Sequence, residues 1–410
     1  MAGPPRNHTG FLDVRRLDHR TVGTVPRVRE ESRLTVVGIG ADGWAGLSER
    51  AKAVLTDAEV VFGGPRQLAY LRSGALQVPW PSPLLPALDG LLAEHTGRKI
   101  CVLASGDPLL SGIGTTLVKR LGIENVEILP TLSSVTLARA RLGWPAEETE
   151  VVTVVGRDVH RVNRVLAPGR RILVLGSTRA ALDDLLKARG YEESRVTVLE
   201  ELGGPDERVH HADSTALSIL AIECAGPPLS LVGGLPDDAF EHDGQLTKRD
   251  LRASALARLA PTPGELLWDV GAGAGSVAIE WSRVHPSNRA IAVERDPERA
   301  ARIGRNADTL GVPELRVVLG SAPEALDLPK PDAIFVGGGL TVPGALDACL
   351  ATGARIVAHG VTLESEQALA RAYGEHGGEL VRLSVEQAAP LGGFTGWTPA
   401  RTVTQWSITP

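Results

Sequence analysis

Short apolar runs recur along most of the chain, and polar stretches with helical spacing follow them. The alternation is clear in LTVVGIG (34–40), ICVLAS (100–105), RILVLG (171–176) and LLWDVG (266–271). Apolar runs of this length, bounded by glycine, are typical of buried parallel strands, so the pattern predicts an α/β fold. In such folds ligands bind beyond the carboxyl ends of the strands. The polar and glycine-rich turns after these runs are therefore where a site is expected.

The most specific turn begins where the run LLW (266–268) ends in an acid. Asp269 is followed by Gly271, Gly273 and Gly275, and then by a helical pattern. Glycines allow close backbone approach to a ligand, and the free N–H groups of the next helix point towards it. The spacing departs from the dinucleotide fingerprint G-x-G-x-x-G and favours S-adenosylmethionine over NAD. The residues predicted to bind the cofactor here are Asp269, Gly271, Ala272, Gly273, Ala274 and Gly275.

A second acid lies about one strand–helix–strand step further on. Glu294 ends the run IAVE and is placed to accept hydrogen bonds from a ribose, while Ala322 falls where an adenine would lie. The order of strand, glycine turn, helix, strand with acid, helix and strand resembles the class I S-adenosylmethionine-dependent methyltransferases. The alternative is a Rossmann-like domain whose glycines only turn the chain.

The first folded half contains a match to the dinucleotide fingerprint itself. Gly38, Gly40 and Gly43 satisfy G-x-G-x-x-G after a predicted strand. The next apolar run, VVFGG (60–64), ends in glycines where a ribose-binding acid would be needed. The match is therefore weak evidence for NAD, and glycines that merely turn the strand into its helix explain it equally well.

Two later turns change this interpretation. Gly106, Asp107 and Pro108 form a rigid turn after a strand, and Ser133 and Ser134 open a helix that ends at the glycine of LGWP. Together with the loop at 37–43, these segments resemble the tetrapyrrole methylases, the class III S-adenosylmethionine-dependent enzymes that alkylate porphyrinoid rings. The chain departs from the family pattern at Ala41-Asp42, where Pro-Gly is usual, and at Thr131-Leu132, where Gly-Ile is usual.

The resemblance implies two α/β subdomains with a cofactor cleft between them, followed by a Rossmann-like class I domain. It implies two S-adenosylmethionine sites in one chain. The first would be formed by Gly38, Gly40, Gly106, Asp107, Pro108, Ser133 and Ser134. The predicted organisation is a disordered tail over 1–32, a tetrapyrrole methylase domain over 33–236 with subdomains of about 33–129 and 130–236, a linker over 237–246, and a class I domain over 247–410.

Composition and charge limit the partners. The 410 residues exceed one ordinary core, and 43% hydrophobic with 22% charged residues is typical of a globular, cytoplasmic protein without a membrane span. A net charge of −6 argues against a nucleic-acid binder. The three cysteines lack metal-ligand spacing, so no metal is expected. Related domains form oligomers, which makes a homo-oligomer the expected state.

A chain that joins one tetrapyrrole methylase to one class I methyltransferase resembles the fused C-methyltransferases of aerobic cobalamin biosynthesis. That resemblance implies a tetrapyrrole substrate: a corrin precursor methylated at C5 by the first half, and methylated at C15 and decarboxylated at the C12 acetate by the second. Methyl transfer from a sulfonium needs alignment and exclusion of water rather than a protein nucleophile. The alternatives are a tetrapyrrole C-methyltransferase with one active half, or an NAD-dependent oxidoreductase that uses the Gly38 loop.

No catalytic residue is assigned from the sequence. A proton donor for the decarboxylation could come from His359, Glu364, His242 or Asp243, but surface or capping roles are favoured for all four. A substrate with several carboxylates requires basic residues, for which Lys248, Arg249, Arg252 and Arg295 are candidates, and a solvated helix face is the alternative. Thr247 is predicted to cap the helix that follows it and to contact the cofactor.

Overall fold

The computed structural model describes residues 34–214, 216–230 and 232–409. Contacts divide this part of the chain into two compact units, one of residues 34–39 and 43–131, the other of residues 40–42 and 132–409. The predicted disordered tail over 1–32 lies outside the described residues. Within them, no helix combines the length and the hydropathy that crossing a bilayer requires.

The first unit is built on a parallel sheet with helices on both faces. Its five strands lie in the order β3-β2-β4-β1-β5, and every neighbouring pair is parallel. Val36 and Val37 are both fully buried because successive side chains of β1 enter apolar clusters on opposite faces of the sheet. The elements are β1 (Leu34–Ile39), α1 (Glu49–Asp57), β2 (Val60–Gly63), α2 (Pro65–Ala69), β3 (Leu76–Pro79), α3 (Leu88–Glu94), β4 (Ile100–Ser105), α4 (Ile113–Leu121) and β5 (Val126–Leu129).

The second unit begins with a mixed sheet. Its strands lie in the order β6-β7-β10-β8-β9, in which only β6 and β7 are parallel. The elements are α5 (Ser134–Leu142), β6 (Thr149–Thr153), β7 (Arg171–Leu175), α6 (Arg179–Ala188), β8 (Arg195–Glu200), β9 (Arg208–His210) and β10 (Ser218–Glu223). The expected α/β class is confirmed here too.

The same unit continues into a seven-stranded sheet of order β13-β12-β11-β14-β15-β19-β16. The first five strands are parallel, and β19 runs antiparallel between β15 and β16. Chain order reverses at β11, which lies between β12 and β14, so the carboxyl end of β11 is the switch point where such sheets bind ligands. The elements are α7 (Arg249–Leu259), β11 (Leu266–Val270), α8 (Ser276–Val284), β12 (Arg289–Glu294), α9 (Pro297–Thr309), β13 (Arg316–Leu319), β14 (Ala333–Val336), α10 (Ala345–Leu350), β15 (Arg355–Gly360), α11 (Leu363–His376), β16 (Glu379–Leu383) and β19 (Val403–Ile408), with a separate hairpin of β17 (Glu386–Leu391) and β18 (Phe394–Pro399).

Candidate functional site

The carboxylate of Asp269 lies at the switch point, near the end of β11. The residue is 1% exposed, and its Oδ2 accepts a hydrogen bond from the backbone N–H of Ala278 at 3.0 Å. Its Oδ1 has no hydrogen-bond partner among the described residues, although a buried carboxylate oxygen normally has one. Burial, with a smaller contribution from the charge of Glu294, raises the pKa of Asp269 to about 7. The free oxygen is therefore prepared to accept a hydrogen bond from a cationic ligand.

Glu294 ends the neighbouring strand β12 and fastens the glycine turn. Its Oε2 accepts the N–H of Gly273 at 2.8 Å, and its Oε1 accepts the N–H of Asp296 at 3.0 Å. The side chain is 4% exposed and oriented by two backbone donors. A carboxylate oxygen can accept two hydrogen bonds, so each oxygen retains capacity for a ribose hydroxyl.

The three glycines of the turn are required by the fold itself. All three have positive φ, at +71°, +61° and +76° for Gly271, Gly273 and Gly275. A Cβ added at Gly271 would lie 2.8 Å from the backbone of Gly338, and one at Gly275 would lie 2.7 Å from the side chain of Ile303. The glycines therefore allow the turn to close against its neighbours, and Gly271 itself is exposed.

The other predicted contacts of this turn are more buried. Ala272 is half-buried, and Ala274 is buried, with its carbonyl accepting the side-chain N–H of Asn306 at 3.0 Å. Asn306 was not predicted as part of the site, because an asparagine within a helical pattern gives no distinguishing signal. Ala322 is 5% exposed and belongs to the same apolar cluster as Trp268.

The prediction that Thr247 caps α7 is wrong. The capping position belongs to Lys248, whose side chain makes no capping hydrogen bond, and Thr247 contributes its carbonyl oxygen to the guanidinium of Arg252. Lys248 still has an extended backbone, so the helix begins at Arg249, one residue later than the sequence suggested. Thr247 is half-buried, and its contact with the cofactor stays a prediction.

Arg252 is neither a substrate anchor nor part of a solvated helix face. It is fully buried, and its Nε donates to Glu280 Oε1 at 2.6 Å. It also donates to the carbonyl oxygens of Leu235 and Thr247. Its guanidinium carbon lies over the ring of Phe240, 4.8 Å from the ring centroid. These partners satisfy the charge internally, so Arg252 orders the segment that precedes the domain.

The remaining candidates from the sequence occupy different environments. His359 is buried, is hydrogen-bonded to Gln405 at 2.9 Å, and has its pKa lowered to about 4 by burial, so it is neutral near pH 7. Asp243 pairs with Arg299 at 2.8 Å, and that hydrogen bond lowers its pKa. The exposed candidates are Glu364, Lys248, Arg249 and Arg295, while His242 is half-buried. In the described part of the chain, none of these candidates forms a hydrogen bond with Asp269 Oδ1.

In the first unit, Gly38 lies where three chain segments converge. A Cβ added there would overlap the carbonyl oxygen of Gly106 and would approach the N–H of Thr131 to 2.9 Å. Gly106 also donates its N–H to Ile39 O at 3.0 Å. The carboxyl ends of β1, β4 and β5 are neighbours in the sheet, so this convergence lies at the ligand-binding edge.

The turn after β4 is internally braced. Asp107 Oδ1 accepts the N–H of Leu109 at 2.8 Å, and a Cβ at Gly112 would lie 2.6 Å from the carbonyl of the buried Pro108. Beside this turn, Arg66 donates to Ser105 Oγ at 3.0 Å and has a second, buried guanidinium nitrogen without a partner in the described part of the chain. Arg66 was missed, because a single arginine after VVFGGP carries no motif.

The second unit contains the other predicted residues of the first site. Ser133 caps α5, with its Oγ accepting the N–H of Thr136 at 3.1 Å, and Ser134 is the first helical residue. The helix ends at Gly143, which has φ +67°. These features confirm the predicted helix. Gly40 is half-buried, and a Cβ there would lie 2.7 Å from the carboxylate of Asp42.

Comparison with known proteins agrees with this architecture. Residues 33–217 match the family of Tetrapyrrole (Corrin/Porphyrin) Methylases, and residues 238–410 match the Precorrin methyltransferase domain. The predicted domain boundaries remain predictions.

Three curated relatives are informative. A Sinorhizobium protein named precorrin-6Y C(5,15)-methyltransferase [decarboxylating] is 46% identical over 398 residues, which is 92% of this chain and 96% of the relative. A Pyrobaculum calidifontis protein named probable cobalt-precorrin-6B C(15)-methyltransferase (decarboxylating) is 40% identical, over 40% of this chain and 90% of its own. A Salmonella typhimurium protein named cobalt-precorrin-7 C(5)-methyltransferase is 31% identical, over 45% of this chain and 92% of its own. The chain belongs to the family of decarboxylating precorrin-6Y C(5,15)-methyltransferases.

Proposed function

We propose that the chain methylates the corrin precursor precorrin-6B at C5 and C15 and decarboxylates its C12 acetate, giving precorrin-8. The observation that carries the C-terminal half of this proposal is the free, buried oxygen of Asp269 at the switch point, beside the exposed backbone of Gly271. A near-full-length relationship to enzymes that bear this name supports the substrate class.

The residues at the switch point fit S-adenosylmethionine in charge and in hydrogen-bonding capacity. Asp269 Oδ1 would accept the ammonium of the methionine part, directly or through water, and Glu294 would take the ribose hydroxyls. The buried side chain of Ala322 offers the apolar contact that an adenine requires. When bound, the cofactor supplies an electrophilic methyl group on its sulfonium.

The chain's own contribution is then to hold the reactants in line and to keep water away. Asp269 and Glu294 are fixed by backbone hydrogen bonds, so they need little reorganisation when the cofactor binds. Burial of the ammonium against Asp269 would keep that carboxylate ionised, because an adjacent positive charge favours the charged form. No residue is assigned as the proton donor for the decarboxylation.

We assign C5 methylation to the first half and C15 methylation with decarboxylation to the second. Two relatives support such a division, because less than half of this chain aligns with nearly the whole of each. One is named a C(15)-methyltransferase and the other a C(5)-methyltransferase. The first half would use Gly38, Gly40, Gly106, Asp107, Pro108, Ser133 and Ser134 for its own S-adenosylmethionine. Two cofactor sites per chain follow from this assignment.

Titration calorimetry with S-adenosylhomocysteine tests the two-site proposal. We expect two molecules bound per chain, and one in an Asp269→Ala variant, which removes the ammonium partner of the second site. One molecule bound to the unmodified chain would support a single active half instead. Binding of NADH without binding of the methyl-donor analogue would favour the oxidoreductase alternative.

We further propose that the protein forms a homo-oligomer through its C-terminal hairpin. Leu391, Phe394 and Trp397 on β17 and β18 are 68%, 83% and 72% exposed. Leu391 and Phe394 are cross-strand partners on one face of the hairpin, and Trp397 lies on the other face. Large exposed apolar side chains are typical of association surfaces. Light scattering should give a mass above that of one chain, and a Phe394→Ser/Trp397→Ser variant should lower it. A monomeric unmodified protein would contradict the proposal.

A further inference from the structure

A cavity lined by arginine lies within the second unit, away from the residues proposed to bind cofactor. It has a volume of about 540 Å³ and lies between β6 with the turn that follows it and the amino ends of β11, β12 and β13. Leu266, Arg289 and Arg316 are the first residues of those three strands. The residues proposed to bind cofactor lie at the opposite, carboxyl ends of these strands. On β12, Arg289 and Glu294 are separated by about 16 Å at ~3.3 Å per residue.

The lining of this cavity is strongly basic in a chain whose net charge is −6. Its two glutamates are already used, since Glu314 pairs with Arg161 at 2.6 Å and Glu150 pairs with Arg170 at 3.1 Å. The other arginines of the lining have no carboxylate within 4.0 Å in the described ranges. These four arginines are Arg157, Arg164, Arg289 and Arg316.

Further features of the wall indicate a missing polar partner. Thr153 lines the cavity, and its hydroxyl is buried without a hydrogen-bond partner in the part of the chain that the structure describes. Thr153 belongs to β6, an edge strand with one row of unpaired backbone groups. Burial, with a smaller contribution from the charge of Arg161, lowers the pKa of Arg164, although the charges of Glu150 and Glu314 partly oppose this shift. A bound anion would stabilise the buried guanidinium further.

The rest of the wall is apolar. Val152, Val165, Ile291 and Val312 are buried side chains that contribute to it, together with the half-buried Leu315. Arginine forks match carboxylate and phosphate groups, and an apolar wall accommodates a hydrocarbon or aromatic frame. We propose that this cavity binds a small organic anion that carries two or more carboxylate or phosphate groups on an apolar body.

A ligand in this cavity would bridge two sheets of the same unit. The junction is already fixed by the ion pair of Arg161 with Glu314 and by a hydrogen bond from the buried Asn163 to the carbonyl of Asp308 at 2.9 Å. Gly311 packs directly against the backbone of Arg164 at this junction, where an added Cβ would overlap that backbone. Ligand binding should therefore raise the thermal stability of the whole chain.

Calorimetry on the full chain tests the proposal, with S-adenosylhomocysteine present in excess to keep the methyl-donor sites filled. The probes are ATP, benzene-1,3,5-tricarboxylate and inorganic phosphate. We expect ATP or the tricarboxylate to bind at one molecule per chain and to weaken with rising salt. An Arg289→Gln/Arg316→Gln variant should weaken binding at least about tenfold by losing two charge-assisted contacts. Arg157→Gln should weaken binding independently of that pair. Arg371→Gln, which replaces an exposed arginine on α11, is the matched control and should leave the affinity unchanged.

The relative affinities identify the source of the anion. Tighter binding of ATP indicates a nucleotide, and tighter binding of the tricarboxylate indicates a polycarboxylate, and either result supports the site. The proposal is overturned if neither probe binds, if the double variant binds as the unmodified chain does, or if phosphate alone binds as tightly as both larger probes. A melting temperature of the double variant equal to that of Arg371→Gln shows that lost binding is not lost folding.

Discussion

We expect Asp269 to link cofactor binding to pH. The carboxyl has a pKa of about 7 without ligand, mainly because it is buried, whereas an ammonium at its free oxygen would hold it ionised. Binding of S-adenosylmethionine below pH 7 must therefore release the proton of Asp269. At pH 6 about 0.9 proton should be released per C-terminal site, and the dissociation constant should rise about 50-fold between pH 7 and pH 5. The amino group of the cofactor stays mostly protonated in this window.

Calorimetry in buffers of different ionisation enthalpy measures the released proton directly. The Asp269→Asn variant keeps an acceptor for the N–H of Ala278 but cannot titrate, so its heats give the contribution of any other site. We expect the pH-dependent part of the binding to disappear in this variant. Equal proton release at pH 6 from the variant and from the unmodified chain would refute the role of Asp269.

The same carboxyl should make the unliganded protein less stable as pH rises. Its folded pKa lies above the ordinary value of 3.8, so the folded state holds a proton that the unfolded state has lost between these two values. Relative to Asp269→Asn, the unmodified chain should lose about 2 kcal/mol of unfolding free energy between pH 5 and pH 7. Urea unfolding followed by fluorescence of the buried Trp268 and Trp281 measures this difference. Parallel stability profiles for the two proteins would contradict it.

Two further substitutions test the structural account. Arg252→Gln leaves the carboxylate of Glu280 buried without its charge partner and should lower the free energy of unfolding by about 3–5 kcal/mol. Arg258→Gln, in an exposed ion pair, should lower it by less than about 1 kcal/mol. Urea unfolding measures both changes. Gly38→Ala places a methyl group against a backbone carbonyl and should abolish C5 methylation, while Gly74→Ala, where a Cβ meets nothing within 4 Å, should leave it intact, as mass spectrometry of the product would show.

The strand ends of the C-terminal site could be predicted because local chemistry determines them. Asp269 and Glu294 each end an apolar run, and the structure places both at the carboxyl edge of adjacent parallel strands. The glycines after Asp269 have positive φ, a backbone conformation that favours glycine. What the spacing did not indicate is that Ile303 and Gly338 also require those glycines, because these contacts join distant parts of the chain.

The burial and the pairing of the basic residues could not be predicted from the sequence. Arg252 lies in a charged stretch that has the pattern of a solvated helix face, and only the position of Glu280 on α8 explains its burial. Similarly, the acids and glycines of 237–246 suggest a free linker, yet Phe240 is buried and Glu241 pairs with Arg305 of α9. The antiparallel strands β16 and β19 complete the last sheet through pairings between residues far apart in sequence, which local periodicity does not report.

The division of two methyl transfers between the two halves is tested most directly by product analysis. The unmodified chain, given precorrin-6B and methyl-labelled S-adenosylmethionine, should add two labelled methyl groups and release one carbon dioxide per macrocycle. Asp269→Ala should add no methyl at C15, yet should still methylate C5 of a macrocycle already methylated at C15 and decarboxylated. Transfer of a single methyl by the unmodified chain, or loss of C5 methylation in Asp269→Ala on that second substrate, would contradict the account.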